Sequence, residues 1–152
     1  HTSFVLVGPD EGEAETVTRA IAEAGLGDRI RWIGALPPTQ TFAAMSDARV
    51  YVLPAVDEVF PMSILESFSA GTPVVTTSSL GIAADCERHG AALITDGSPD
   101  ELAEATFRAH QNRETADALR GGGLAYIRTE LDVQDVAREL VSEYRTASGL
   151  VA

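Results

Sequence analysis

Apolar residues fall along this chain in short runs that alternate with longer amphipathic stretches. SFVLV at Ser3–Val7 is unbroken, ends at Gly8-Pro9 and reads as a buried parallel strand. In EGEAETVTRAIAEAGLGD, Ala14, Val17, Ile21 and Ala24 recur at helical spacing, acids crowd the first turn, and Gly25 or Gly27 can end the helix. RIRWIG is a second strand. PPTQTFAAMSDA is a short helix entered through Pro37-Pro38, and RVYVLPA is a third strand stopped by Pro54. Residues 62–70 read as a helix, TPVVTTS as a fourth strand, residues 81–89 as a short helix or a loop, and AALIT as a fifth strand. From Pro99 the pattern is helical. Asp132 is placed to cap a last helix. Its stripe of Val133, Val136, Ala137, Leu140, Val141 and Tyr144 reads as core or, in part, as a face for a further domain. Gly121-Gly122-Gly123 is expected to turn the chain between helices.

Strand and helix alternate five times. Parallel strands need crossover connections, so the expected fold is α/β: a Rossmann-like parallel sheet with helices on both faces. Such sheets bind ligands at the carboxyl ends of their strands, near helix N-termini. That directs attention to the loops at residues 8–12, 34–38, 54–62 and 76–85.

Composition narrows the functions. A chain of 152 residues suffices for one domain with one core, and 45% hydrophobic with 22% charged residues is ordinary for a globular protein. The net charge of −12 opposes a phosphate backbone and argues against a nucleic-acid partner. No run of about 18 apolar residues is present to form a transmembrane segment. The single cysteine, Cys86, has no disulfide partner, fits a reducing compartment and reads as an inert, partly buried thiol. His1, His89 and His110 lack metal-ligand spacing; His89 and His110 read as surface residues and Trp32 as core.

The stretch EVFPMSILESFSAGTPVV, residues 58–75, brackets an apolar run with two carboxylates. Glu58 falls in the loop after the third strand. Glu66 falls about one turn into the following helix, whose buried side is Ile64, Leu65 and Phe68. The amides of the 60–63 segment leave the helix N-terminus, where the dipole favours an anion. A diphosphate can bind there without a basic side chain. Carboxylates on either side suit vicinal diols, because each has two acceptor oxygens. Ser67, Ser69, Ala70 and Gly71 are small enough to let the helix lie close to the sheet.

Glu58, seven intervening residues and Glu66 resemble the E-x7-E signature of the retaining glycosyltransferases with the GT-B fold, in particular the group called family 4. The likeness extends through LVGPDEG, GLGDRIRWIGALPP, ARVYVLPAVDEVFPMSILESFSAGTPVV and HGAALITDGSPDELAEA, covering residues 3–110. It implies that residues 1–152 are a single C-terminal, nucleotide-sugar-binding domain, one half of a GT-B fold. The first strand and helix, a basic Arg/Lys pair and the acceptor-binding N-terminal domain would precede residue 1. It implies a catalytic Glu58 that contacts the transferred sugar, and Phe60, Pro61, Met62 and Ser63 lining the sugar and diphosphate. Glu66 would bind the ribose, and the loop at Gly34, Ala35 and Leu36 would lie near the base. The donor is then a UDP-, GDP- or ADP-linked sugar, used as substrate, with no metal and no cofactor. The acceptor would be held by the N-terminal domain, and the fragment alone would be inactive. The expected location is the cytoplasm, with peripheral membrane association open to the full-length protein at its inner face.

The sequence departs from the family pattern in three places. Val59 and Pro61 stand where glycines are common. SSLGIAADCERHG lacks the usual glycine pair followed by glutamate. That segment motivates a second reading, a non-catalytic sugar-nucleotide-binding or interaction module on the same fold. A relative of the nucleotide-sugar epimerases is a third.

Overall fold

The computed structural model describes residues 2–149. Its described residues divide into two compact units, residues 2–43 and 44–149. The strands are all parallel, as the α/β pattern requires, and they form two sheets, with β1-β2 in the first unit and β3-β4-β5 in the second.

In the first unit, β1 (Phe4–Leu6) pairs with β2 (Ile30–Trp32) in the register Phe4↔Ile30, and α1 (Ala14–Glu23) is the crossover between them. Asp10 Oδ1 accepts from the amides of Gly12 and Ala14 and so starts α1. The sequence pattern made SFVLV a buried strand. The structure corrects this: Phe4, Val5, Leu6 and Val7 are all exposed, and no described residue before Met45 is buried. Two short strands and one helix cannot cover both faces of a sheet. Trp32 is half-buried, and its indole N–H donates to Gly8 O at 3.0 Å.

α2 (Pro38–Asp47) leads into the second unit, which holds the core. There β4 (Val74–Thr77) lies between β3 (Tyr51–Leu53) and β5 (Ala92–Thr95), with Val74 opposite both Tyr51 and Ala92. α3 (Met62–Ser69) connects β3 to β4, and α4 (Ala83–Arg88) connects β4 to β5. α5 (Pro99–Gln111), α6 (Arg113–Glu130) and α7 (Val133–Ala147) follow. Successive strand residues face opposite ways. Val74 therefore joins Ile64, Leu65, Phe68 and Tyr126 in one cluster, while Val75 joins Ala105, Ala109 and Leu119 in another. Phe68 and Tyr126 meet edge to face at 5.8 Å.

The glycine triplet does not turn the chain. Residues 121–123 lie inside α6, and the break between α5 and α6 falls at Asn112, whose side chain accepts from Thr115 N and caps α6. Glycine is needed here for space. A Cβ on Gly122 would lie 2.3 Å from Gly90 O and 2.5 Å from His89 O. One on Gly123 would lie 2.7 Å from Phe68 Cδ1. The stripe on α7 is also not core. Asp132 caps this helix as expected, accepting from Gln134 N and Asp135 N, but no residue of α7 is buried.

Cys86 and His89 are more enclosed than the sequence suggested. Cys86 is fully buried, and burial, aided by the Asp85 charge, pushes its thiol from 9.0 up to about 11. His89 stacks edge-on against Tyr126 at 5.2 Å, and its Nε2 lies 3.2 Å from Glu130.

Two predictions follow from this packing. Gly122→Ala meets backbone that cannot yield and should cost about 1–3 kcal/mol despite the better helix propensity of alanine. Gly121→Ala faces open space and should stabilise by up to about 1 kcal/mol; urea unfolding of both variants separates the signs. The raised Cys86 pKa stabilises the fold fully below pH 9, and that contribution is lost as pH climbs through about 11. The stability of Cys86→Ala should be flatter than wild type across that window, and a native-state thiol titration should find Cys86 unreactive at neutral pH.

Candidate functional site

The carboxyl ends of β3 and β4 carry the loops that matter. After Leu53, residues 54–61 lead to α3; after Thr77, residues 78–82 lead to α4. Hydroxyl groups tie the two loops together. Thr76 Oγ1 donates to Leu53 O at 2.9 Å, and Thr77 Oγ1 donates to Ala55 O at 2.5 Å. Ser79 Oγ donates to Ala55 O as well, at 3.2 Å, and lies 3.1 Å from Thr77 Oγ1. On the far side Thr95 Oγ1 donates to Thr76 O. The carbonyls where β3 stops being a strand are thus satisfied by side chains of β4, as buried polar groups must be.

The loop then turns sharply. Asp57 has a φ of 55°, the left-handed region that non-glycine residues enter at a cost, aspartate among the least strained of them. Glu58 follows and is exposed; its carbonyl accepts from Gly81 N at 3.0 Å. Val59, Phe60 and Met62 are exposed apolar residues beside it, at 79%, 47% and 59%. Pro61 is buried and forms the N-cap of α3, with no side-chain cap. Ile64 N donates to Pro61 O at 3.1 Å. The first amides of a helix have no intrahelical acceptor, so those of Met62 and Ser63 are the natural donors to an anion at this end. Pro61 has no N–H and contributes only its ring and carbonyl.

Glu66 projects to solvent from the second turn of α3, while its neighbours Ile64, Leu65, Ser67 and Phe68 are buried. A residue that the sequence pattern did not single out responds to both glutamates. The Tyr51 hydroxyl has its pKa raised, first by burial and then by the charges of Glu58 and Glu66, while a side-chain hydrogen bond with Ser63 pulls the other way. One phenol therefore feels both carboxylates and the first turn of α3. Its aromatic position inside RVYVL looks like any strand residue, which is why pattern alone hides it.

Gly34 and Leu36 belong to residues 2–43. Gly34 has a φ of 74°, and its carbonyl accepts from Gly8 N at 3.1 Å. Leu36 is half-buried, and its carbonyl accepts from Thr41 Oγ1. In the segment after β4, Asp85 is engaged by Arg88 at 2.7 Å and Glu87 is exposed.

A family model described as Glycosyl transferases group 1 matches residues 1–123. The chain belongs to this family. Among curated proteins it is 29% identical over 151 residues to a 2-deoxystreptamine glucosyltransferase of Streptomyces kanamyceticus, covering 97% of this chain and 38% of that protein. It is 28% identical to a D-inositol 3-phosphate glycosyltransferase of Acidothermus cellulolyticus, covering 95% of this chain and 35% of the relative. The chain thus spans less than two fifths of the length of these group 1 relatives. Among solved structures it superposes on sucrose-phosphate synthase from Thermosynechococcus elongatus with a TM-score of 0.82 at 23% identity, over 97% of this chain and 39% of the other. It also superposes on the C-terminal domain of a group 1 glycosyl transferase from Francisella tularensis, with a TM-score of 0.70 at 16% identity, over 86% of this chain and 70% of that one. The fold is that of the GT-B glycosyltransferase domains: parallel sheets flanked by helices. Among the described residues no helix is long and apolar enough to cross a membrane.

The hydroxyl ties give a direct expectation. Thr77→Val keeps the shape of the side chain but leaves Ala55 O with only the longer bond from Ser79 Oγ. It should cost about 1–2 kcal/mol in urea unfolding, and the amide signals of residues 55–58 should shift more than those of α5.

Proposed function

We propose that this chain is the donor-binding, C-terminal half of a family 4 glycosyltransferase that moves a sugar from a nucleotide-sugar to an acceptor with retention of configuration. The observation that carries this reading is the placement of Glu58 and Glu66 on either side of an uncapped helix N-terminus. Family membership supports the general activity. A solved structure of an Anabaena relative holds UDP-glucose, at 20% identity and a TM-score of 0.70. That complex is the reason to include uridine nucleotides among the donors tested.

In this reading the diphosphate lies at the N-terminus of α3. The amides of Met62 and Ser63 donate to it, and the helix dipole stabilises the charge that grows as the diphosphate leaves. Phe60 and Pro61 line the sugar. Glu58 accepts hydrogen bonds from the sugar hydroxyls and fixes the anomeric carbon. Glu66, one turn further, takes the ribose diol, two hydroxyls for two carboxylate oxygens. The acceptor attacks from the face that the diphosphate leaves, which retains configuration. A basic pair and an acceptor-binding domain outside this chain complete the cleft, and no metal is required. The full-length protein acts in the cytoplasm.

A second reading keeps nucleotide-sugar binding without transfer. The Asp85–Arg88 pair favours it, since it engages one of the two carboxylates, Asp85 and Glu87, that could stand in for the family's glutamate after the glycine pair.

The test is a calorimetric or ligand-detected NMR titration of the chain with UDP-, GDP- and ADP-glucose. One nucleotide should bind, and Glu66→Ala should weaken it about 10-fold or more, as loss of a charged hydrogen-bond partner does. Full binding by Glu66→Ala would overturn the placement of the ribose. Turnover in the full-length protein decides between transfer and binding alone.

A further inference from the structure

Glu58 has no regular structure of its own to hold it. It sits in an exposed loop of a chain that has just passed through the left-handed Asp57. Its main chain is held instead from the β4–α4 loop, by the bond from Gly81 N to Glu58 O at 3.0 Å. That donor is itself fixed. Leu80 and Ile82 on either side of Gly81 are 4% exposed and belong to the core, and Ala83 N closes the turn onto Leu80 O. Gly81 is therefore a rigid N–H presented between two anchored residues.

The absence of a side chain is part of the fit. Gly81 does not occupy the left-handed region, so its backbone conformation is open to other residues. Space is what demands glycine. A Cβ here would lie 2.3 Å from Val59 O, 3.1 Å from Val59 C and 3.2 Å from Val59 Cα. All three are main-chain atoms of the residue that follows Glu58, and none can yield by rotating a side chain.

We propose that Gly81 is the positioning residue for Glu58, setting where that carboxylate meets the donor sugar. This rests on the donor-binding reading and deepens it. The end of β4 and the loop after it then act on the sugar indirectly: through Thr77 and Ser79 on Ala55 O, and through Gly81 on Glu58 O. Glu66 and the first turn of α3 are not held by Gly81. Displacing the Glu58–Val59 peptide should therefore affect recognition of the sugar and spare recognition of the nucleoside diphosphate.

The experiment compares wild type with Gly81→Ala in the full 152-residue chain. UDP, GDP and ADP are titrated alongside their glucose conjugates. The quantity read is the gain in affinity that glucose adds to the nucleotide. Gly81→Ala should reduce that gain about 10-fold while the affinity for the free diphosphate stays within about 2-fold; a merely structural defect would weaken both together. Val59→Gly added to Gly81→Ala should restore the gain, because glycine lets the carbonyl of residue 59 rotate away from the new methyl. That double variant also serves if Gly81→Ala alone does not fold.

Amide hydrogen exchange gives an answer that does not depend on the ligand. In wild type the Gly81 amide should exchange at least about 10-fold more slowly than a random coil, and Gly81→Ala should shift the Glu58 and Val59 signals. If wild type binds none of the six ligands, the donor-binding reading fails, and exchange still decides the geometry. A Gly81 amide that exchanges freely, or a glucose gain unchanged in Gly81→Ala, would overturn the proposal.

Discussion

The strand β4 is bonded on both edges, and its four residues divide two tasks between them. Val74 and Val75 point to opposite faces, each fully buried in its own cluster. Thr76 and Thr77 add hydroxyls to the same β-branched shape and turn them on Leu53 O and Ala55 O, at and just beyond the end of β3. Valine and threonine are nearly isosteric, so the sheet would accept valine at all four places. Only the hydroxyls convert the end of a strand into a fixed platform for a loop. Without them, Leu53 O and Ala55 O would each lose a hydrogen bond, and the loop carrying Glu58 would be held less firmly.

From that platform the candidate site is assembled by local rules. Pro61 suits a helix start because it lacks the N–H that would be orphaned there. Ser67 is fully buried, Gly71 ends the helix in the left-handed region at a φ of 71°, and Arg120 Nε donates to Gly71 O. Ser67 Oγ is the one buried side-chain polar atom among the described residues that lacks a partner. The carboxylates stay in water, where ionised acids belong in the absence of a ligand. The charges of both add to burial in raising the pKa of the half-buried Tyr51 hydroxyl.

Much of this was legible in the chain. Short apolar runs marked the five strands, Pro37-Pro38 and Pro61 marked helix starts, and the Glu58/Glu66 spacing singled out the candidate site. Three readings went astray for one physical reason: a pattern records what a residue could contact, while the contact depends on what lies opposite. SFVLV has a core strand's composition but too few neighbours to bury it. The α7 stripe has a core helix's periodicity and stands exposed. Gly121-Gly122-Gly123 has the composition of a turn, yet sits where a helix must pass within contact distance of Gly90 O and the Phe68 ring. Tyr51 and Gly81 were invisible for the converse reason, since their importance lies in partners far along the chain.

The glycines of α6 carry a consequence for the order in which this fold forms. Three successive glycines make the middle of that helix a poor propagator, by roughly 1 kcal/mol per residue relative to alanine. An 18-residue segment of this kind gains little helix by itself. Its stability comes from surfaces that exist only after Phe68 and the turn at Gly90 are in place. α6 is therefore a late element, condensing onto a half-formed sheet rather than guiding it. In a φ-value series its central positions belong near zero, and those of β4 and α3 well above them.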